Sequence, residues 1–416
     1  MDLKRQCEPT EVRDPVYGFI ALTSWERDIV DSPEFQRLRR IKQLGLTDMI
    51  YPGATHTRFE HSLGTMHLAT KMYDAIIRVK SNRRVLKTKL NYRPKDLRRN
   101  RQLVRLAALL HDIGQMPFSH ALEDFTGYRH EDYTYELIKG PLREKIENHE
   151  VNRKYEISAD EVAALIKGEP KVLGREILWR DLISSQLDAD RGDYLLRDSL
   201  HIGVKYGIYD LDRLLVTIGL GIEPESDNIV LGVKEKGWHV AESLVIARYQ
   251  MFSQVYFHKS RQAYDYMLQQ AIKAILKTIP PPNKIKEFLE LDDYMLWNLI
   301  KNHQDDYWCR SIVKRNHLRA IYETKEIPND EEIEKIKKLE EKLNSEGIWY
   351  LEKESKGSLY RLSQEIMIID KNGKVSPLSE YSNVVKYLGE IRQIRIYVKP
   401  EDEKYCKQAT NIIDRY

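Results

Sequence analysis

Cysteine is scarce in this sequence. Cys7, Cys309 and Cys406 are the three among 416 residues, far apart and with no C-x-x-C pair. That excludes a zinc-ribbon or disulfide framework and points to a reducing compartment. No run approaches the roughly 18 apolar residues of a membrane span. The N-terminal MDLKRQCEPTEVRDP has no apolar stretch behind its charges, so no secretory leader is expected. An excess of one charge is also missing: 67 Lys and Arg face 64 Asp and Glu, a formal +3. Global charge therefore selects neither a nucleic-acid nor a membrane partner. No internal repeat is visible. The expectation is a soluble, cytoplasmic protein without a membrane partner.

What is present is globular material, 42% hydrophobic and 31% charged, enough for one large core or two moderate ones. Helical periodicity dominates. Leu103, Leu106, Ala107 and Leu110 fall at i, i+3, i+4, i+7 on one helix face. A long helix is expected from about Ser243 to Thr278, ended by Pro280-Pro281-Pro282. A short hairpin of Ile229–Val233 with Trp238–Val240 interrupts the helices. After about residue 325 the character changes. Pro328 to Glu346 reads as a charged surface helix with Ile333, Ile336 and Leu343 on its narrow apolar side, and Glu334 and Lys338 form an i,i+4 pair. Strand signals follow at 348–351, 366–369 and 394–398, with a turn at Asn372-Gly373 and a final helix starting at Pro400. The fold expected is mainly α: a helical body over residues 1–325 and a small C-terminal α+β lobe over 326–416.

One segment departs from the even charge balance. Residues 78–101 hold 11 Lys and Arg and a single acid, Asp96. A solvated connection between helices and a patch that meets phosphate are both open, although Tyr92 is its lone aromatic.

The strongest local signal is Leu109-Leu110-His111-Asp112-Ile113-Gly114, a His and an Asp side by side where an apolar helix ends. Buried charge is costly unless it is paired or binds a metal. An imidazole beside a carboxylate suits Mn, Fe, Zn or Mg. Alone, the pair is a weak signal that occurs often by chance, and a helix-end His packed on its neighbouring Asp is the better explanation. Its company argues otherwise: His56 to Ser62 upstream and Asp188 to Tyr194 downstream are both dense in ligand-type residues. One His, the His-Asp pair and a distal Asp would make four protein ligands and leave positions for water and a phosphate oxygen.

In this order, H…HD…D, the sequence resembles the HD-domain phosphohydrolases. Specifically, it is similar to the deoxynucleoside triphosphate triphosphohydrolases that include the animal sterile-alpha-motif/HD enzyme and its prokaryotic relatives. The likeness runs through DPVYG at 14–18, DSPEFQRLR at 31–39, IKQLG at 41–45, PGATHTRFEHSLG at 52–64, PFSH at 117–120 and YLLRD at 194–198. It continues more weakly at Arg248, YFHK at 256–259 and IRIY at 394–397, and so covers most of the chain.

The resemblance implies hydrolysis of a dNTP at the α-phosphorus to a deoxynucleoside and triphosphate. It implies one divalent ion on His61, His111, Asp112 and Asp190, with additional Mg accompanying the nucleotide. Arg58, Arg191, Tyr194 and Arg248 would hold the triphosphate. Gln43 and Asp198 would read the 3′-hydroxyl, and Leu44 and Tyr256 would crowd the 2′ carbon. His120 and His130 match the catalytic histidines, and Glu123 the acid that orients one of them. Gln115 stands where the family often has a histidine; glutamine can donate to phosphate but cannot give up a proton. Phe257 stands where a polar base-contacting residue is common. Asp31, Gln36 and Arg39 match positions that recognise a guanine-nucleotide activator between subunits, although Thr10 and Glu11 occupy the stretch where a basic partner is expected. Activation by GTP or a dNTP and a homo-oligomer, dimer or tetramer, follow as expectations; plain surface or interface groups are the rival reading. Two other functions stay open: an HD enzyme for another nucleotide phosphoester, and a nucleotide-sensing or nucleic-acid-binding HD protein with little catalysis.

Overall fold

The computed structural model describes residues 10–276, 278–357, 360 and 364–403, the side chains at 124 and 125 excepted. Cys7, Cys406 and most of the segment after Pro400 lie outside these residues. The fold is mainly α, a helical HD body with a C-terminal α+β region.

Two helices, Arg58–Arg78 and Pro94–Leu110, pack along each other at the centre of the body. The first starts where the Glu60 carboxylate accepts the Thr57 N–H at 3.1 Å, satisfying one of the donors a helix start leaves unpaired. The second starts with Pro94, whose fixed φ and missing N–H cost nothing there. Leu103, Leu106, Ala107 and Leu110 are fully buried as their spacing predicts, but so are Val104, Ala108 and Leu109. The end of this helix is therefore enclosed on all sides, and each buried Leu contributes about 1.5–3 kcal/mol. Enclosure is what carries His111 and Asp112 into the interior. The Ala189–Ile202 helix crosses the Arg58–Arg78 helix closely. At Gly64 an added Cβ would lie 2.0 Å from Asp193 Oδ1 and 2.2 Å from Arg197 Nη2, so only glycine permits this approach.

Three small sheets complete the fold. β1 (Thr10–Asp14) and β2 (Gly18–Leu22) form an antiparallel hairpin. β3 (Ile218–Ile222), β4 (Ile229–Lys234), β7 (Met367–Ile369) and β8 (Val375–Pro377) form the second, in that order. β5 (Arg319–Glu323), β9 (Ile391–Val398) and β6 (Tyr350–Gly357) form the third. β4 and β7 pair in parallel across more than a hundred residues of chain, with Val233 opposite Ile368. The C-terminal strands thus extend a sheet begun in the body. The charged helix runs over Asp330–Ser345 and buries Ile336, Leu339 and Leu343 against β9 and its neighbours.

Two expectations are corrected. The hairpin partner of Ile229–Lys234 is Ile218–Ile222, not residues 238–240; Trp238 opens a helix, Trp238–Met251. Gly219 and Gly221 conceal the first strand in the sequence, yet a Cβ on Gly221 would come within 2.2 Å of Val375. The single helix expected over 243–278 is three pieces: the helix to Met251, a π-turn at Phe252–Tyr256, and Lys259–Ile275 capped by the His258 side chain. The wider turn points Phe252, Tyr256 and Phe257 into a cavity. Residues 78–101, for which both a connection and a phosphate-meeting patch stood open, contain the Lys80–Leu90 helix, closed by Asn91 in a left-handed conformation (φ +51°).

Candidate metal centre

His61 sits in the first turn of the Arg58–Arg78 helix, His111 and Asp112 just past the end of Pro94–Leu110, and Asp190 in the first turn of Ala189–Ile202. Asp188 caps that last helix by accepting the Arg191 N–H at 2.7 Å. Three helix ends therefore meet. His61 Nε2 lies 3.0 Å from Asp190 Oδ1, and His111 Nε2 lies 3.7 Å from the same oxygen. The two imidazoles stand edge to face, 5.2 Å between centroids. One ligand atom from each of His61, His111 and Asp190 falls within 4.8 Å of the others. Asp112 borders this trio: its Oδ2 is 3.6 Å from His111 Nε2 and 3.8 Å from His61 Nε2, and it accepts Arg58 Nη1 at 2.6 Å.

The donor chemistry fits a divalent cation. His111 gives its Nδ1 proton to the Ala108 carbonyl (2.8 Å), which leaves Nε2 buried, without a hydrogen-bond partner among the described residues, and facing the group. His61 Nδ1 is held by Asp193 Oδ2 at 2.8 Å, the carboxylate–histidine arrangement that fixes a metal-ligating tautomer. Burial opposes charge on His61, but the hydrogen bonds to Asp190 and Asp193 outweigh it and raise the imidazole to about 10. Asp190 is held well below the usual carboxylate range, since His111 and His61 more than offset its burial. Burial likewise loses to Arg197 and His61 at Asp193, which is lowered to about 2. The pocket thus has a concentrated demand for positive charge at one point.

Around the other side of Asp112 stands a second cluster. His130 Nδ1 meets Glu123 Oε1 at 2.6 Å, His120 Nδ1 lies 3.1 Å from Glu123 Oε2, and His130 Nε2 is 3.5 Å from Asp112 Oδ1. Burial is again outweighed, here by Glu123 and then Asp112, and His130 rises to about 9. Phe118 and Ser119 leading into it both have positive φ, +55° and +58°, an uncommon conformation for residues with side chains. Gly45 is what admits this loop, because a Cβ there would lie 2.8 Å from the Phe118 carbonyl oxygen.

Both clusters open into one cavity of about 480 Å³. Gln43, Leu44, Arg58, His111, Asp112, His120, His130, Asp190, Arg191, Tyr194, Asp198 and Tyr256 all line it. Asp198 is clamped between His56 Nε2 (2.8 Å) and the Tyr256 hydroxyl (2.6 Å). Gln43 keeps a buried side-chain oxygen with no partner among the described residues.

Other residues singled out in the sequence lie apart from the cavity wall. Arg248 donates to Gln186 Oε1 at 2.8 Å just behind it. Gln115 is completely buried, its side-chain oxygen accepting the Met116 N–H at 3.0 Å, so it faces the protein interior. Asp31 and Arg39 are exposed and Gln36 is half-buried; Arg39 Nε donates to Gln36 Oε1 at 2.8 Å and its guanidinium stacks 3.5 Å above Phe59.

Three contributions escaped sequence reasoning. Arg261 lines the cavity and donates to Thr47 Oγ1 at 3.0 Å; its position two residues beyond the YFHK match was the available signal. Glu131 also lines it, beside His130. Finally, Asp14 accepts Arg197 Nη1 at 2.8 Å, and Arg197 Nε donates to Asp193 at 2.9 Å, which ties the β1 hairpin to the back of His61.

The HD-domain family pattern matches residues 58–192, the span that holds all four expected ligands, and the HD associated region matches residues 210–349. An uncharacterized Methanocaldococcus jannaschii protein, MJ1154, is 37% identical over 74% of this chain and 59% of its own length. The uncharacterized Bacillus subtilis protein YwfO is 30% identical over 92% of this chain and 89% of its own. The deoxynucleoside triphosphate triphosphohydrolase SAMHD1 homolog of Dictyostelium discoideum is 28% identical over 75% of this chain, which spans 59% of that relative. A crystal structure of a hypothetical Aquifex aeolicus protein superposes with a TM-score of 0.79 at 29% identity, covering 97% of this chain and all of that one. A Bacteroides thetaiotaomicron phosphohydrolase gives 0.71 at 27%, covering 94% of this chain and all of that one. The chain belongs to the HD-domain phosphohydrolase family related to the SAMHD1-type enzymes.

Proposed function

We propose that this protein hydrolyses deoxynucleoside triphosphates to deoxynucleosides and inorganic triphosphate. The observation that carries the reading is one cavity with His111 and Asp190 on its wall and His61 buried behind Asp190, Arg58, Arg191 and Arg261 around it, and the clamped Asp198 with Gln43 nearby. Several guanidinium forks suit a triphosphate, and a carboxylate held by His56 and Tyr256 suits a sugar hydroxyl. The volume falls in the range of small-molecule sites. The Dictyostelium relative's name supports the same substrate class.

In this reading His61, His111, Asp190 and Asp112 hold one divalent ion, which when bound supplies Lewis-acid activation of a phosphate oxygen and of the attacking water. Arg58 exchanges its bond to Asp112 for one to phosphate. Water adds to the α-phosphorus, the bond to the 5′-oxygen breaks, and His130 or His120, oriented by Glu123, gives that oxygen its proton; the proton released by the added water passes to solvent and restores the histidine. Gln115 lies outside the cavity, so the acid role does not depend on the residue there. Leu44 and Tyr256 exclude ribose. Asp31, Gln36 and Arg39 serve an activating GTP or dNTP in a cytoplasmic homo-oligomer. Incubation of the purified chain with each dNTP and Mn or Mg, with and without GTP, tests the proposal. Triphosphate and deoxynucleoside are the expected products. Monophosphate with pyrophosphate would assign another phosphoester chemistry, and no turnover would assign a sensing role.

A further inference from the structure

The basic segment has no part in that chemistry. It holds 11 of the 67 Lys and Arg and 1 of the 64 acids, so it carries +10 while the remaining chain carries −7. Four of its cations have acidic partners: Lys89 with Asp227, Arg93 with Asp96, Arg99 with Glu161 and Arg101 with Asp74. The other seven (Arg78, Lys80, Arg83, Arg84, Lys87, Lys95 and Arg98) are exposed, and no ion pair involves them among the described residues. Lys80, Arg83, Arg84 and Lys87 fall at i, i+3, i+4 and i+7 of the Lys80–Leu90 helix, a single stripe about 10 Å long.

The stripe is held rigidly. On the opposite face Leu86 is fully buried, and Asn82 donates to the Ile76 carbonyl at 2.9 Å while its oxygen accepts the Leu220 N–H at 3.4 Å. Beside the helix lies a groove of about 450 Å³ into which Ser81 and Val85 face, with Lys234, Lys236 and Lys371 on its other walls beside Glu235 and Asp370. Partial burial, and then Lys236, lower the Lys234 ammonium, which has no ion pair among the described residues.

We infer that this stripe and the neighbouring groove form a docking track for the phosphate backbone of a double-stranded nucleic acid, separate from the hydrolytic cavity. Cations in a row on a fixed helix match a regular line of phosphates. None of the exposed large hydrophobic side chains falls within 78–101, and Tyr92 is buried. The track therefore offers no platform for stacking unpaired bases and no wedge for a lipid bilayer.

The test is fluorescence anisotropy of the full chain with a labelled duplex of about 30 base pairs, titrated from about 50 to 200 mM NaCl. K80E/R84E/K87E is compared with K337E/K338E, which reverses exposed lysines on the Asp330–Ser345 helix. The wild type is expected to bind in roughly the micromolar range at low salt, and the triple variant to lose about 3 from the log–log salt slope. The double variant is expected to keep the wild-type slope. No duplex binding at low salt, an unchanged slope in the triple variant, or an equal loss in the double variant would each overturn the inference. So would binding to phosphatidylserine vesicles in place of duplex.

Discussion

Asp193 holds His61 from behind: its Oδ2 accepts the Nδ1 proton at 2.8 Å, which directs Nε2 at Asp190. Arg197 in turn grips both oxygens of Asp193 at 2.9 Å. Asp193→Asn keeps the shape but removes the charge that fixes this tautomer. The expected result is a ten- to hundredfold loss of metal affinity, read by titrating the apo protein with Mn. Unchanged affinity would separate Asp193 from the centre.

Gly64 predicts a steric limit. A Cβ there would strike Asp193 and Arg197, both fully buried and paired to each other. Gly64→Ala should therefore destabilise the fold by about 1–3 kcal/mol and lower metal affinity as well. Urea unfolding and Mn titration read the two effects.

Glu26 governs an acid-sensitive contact with the helix that ends at His111. Its carboxylate accepts Arg105 Nη2 at 2.7 Å and Gln102 Nε2 at 2.9 Å. Burial alone would raise it, but Arg105 holds it below its ordinary 4.5. A carboxyl lowered in the folded state stabilises above its unfolded pKa, and that contribution is lost as pH falls through the folded value. Glu26→Gln should cost about 3–5 kcal/mol near neutrality, because Arg105 is left buried without its counter-charge. The gap to wild type should narrow below pH 4.5. Denaturant midpoints across acid pH check both the size and the direction.

Tyr256 bears on sugar selection. Its hydroxyl donates to Asp198 at 2.6 Å, and its ring lies on the cavity wall. Tyr256→Ala should lower kcat/KM for dNTPs by about tenfold or more, from the loss of a charged hydrogen bond, and should raise the ratio of NTP to dNTP turnover. Tyr256→Phe should lose the first effect's hydrogen bond while keeping the sugar preference. Equal ratios in all three proteins would remove Tyr256 from the selection.

The HD pair was legible in the sequence because a helix buried all round its last turns cannot carry His111 and Asp112 without a use for them. That His61, His111 and Asp190 come together, beside a cavity lined mostly by residues singled out in the sequence, followed from ligand-type residues in three blocks and the family likeness. The strand at Ile218–Ile222 was not legible, since alternating glycines carry no apolar pattern; the reason for Gly221 lies in Val375, over a hundred and fifty residues away. The π-turn at Phe252–Tyr256 interrupts an apolar periodicity that reads as continuous helix. Asp14 and Arg197 were quoted within motifs but acquire a role only when the chain brings the β1 hairpin behind Asp193. Such long-range contacts leave no periodic trace.

The proposed chemistry requires His61, His111 and Asp190 to share one divalent ion. The direct measurement is metal content by mass spectrometry of the wild type and of His61→Ala and Asp190→Ala, each confirmed folded by circular dichroism. Roughly one ion per chain in the wild type and near-complete loss in both folded variants is the predicted result. Folded variants that retain the wild-type metal content would contradict it.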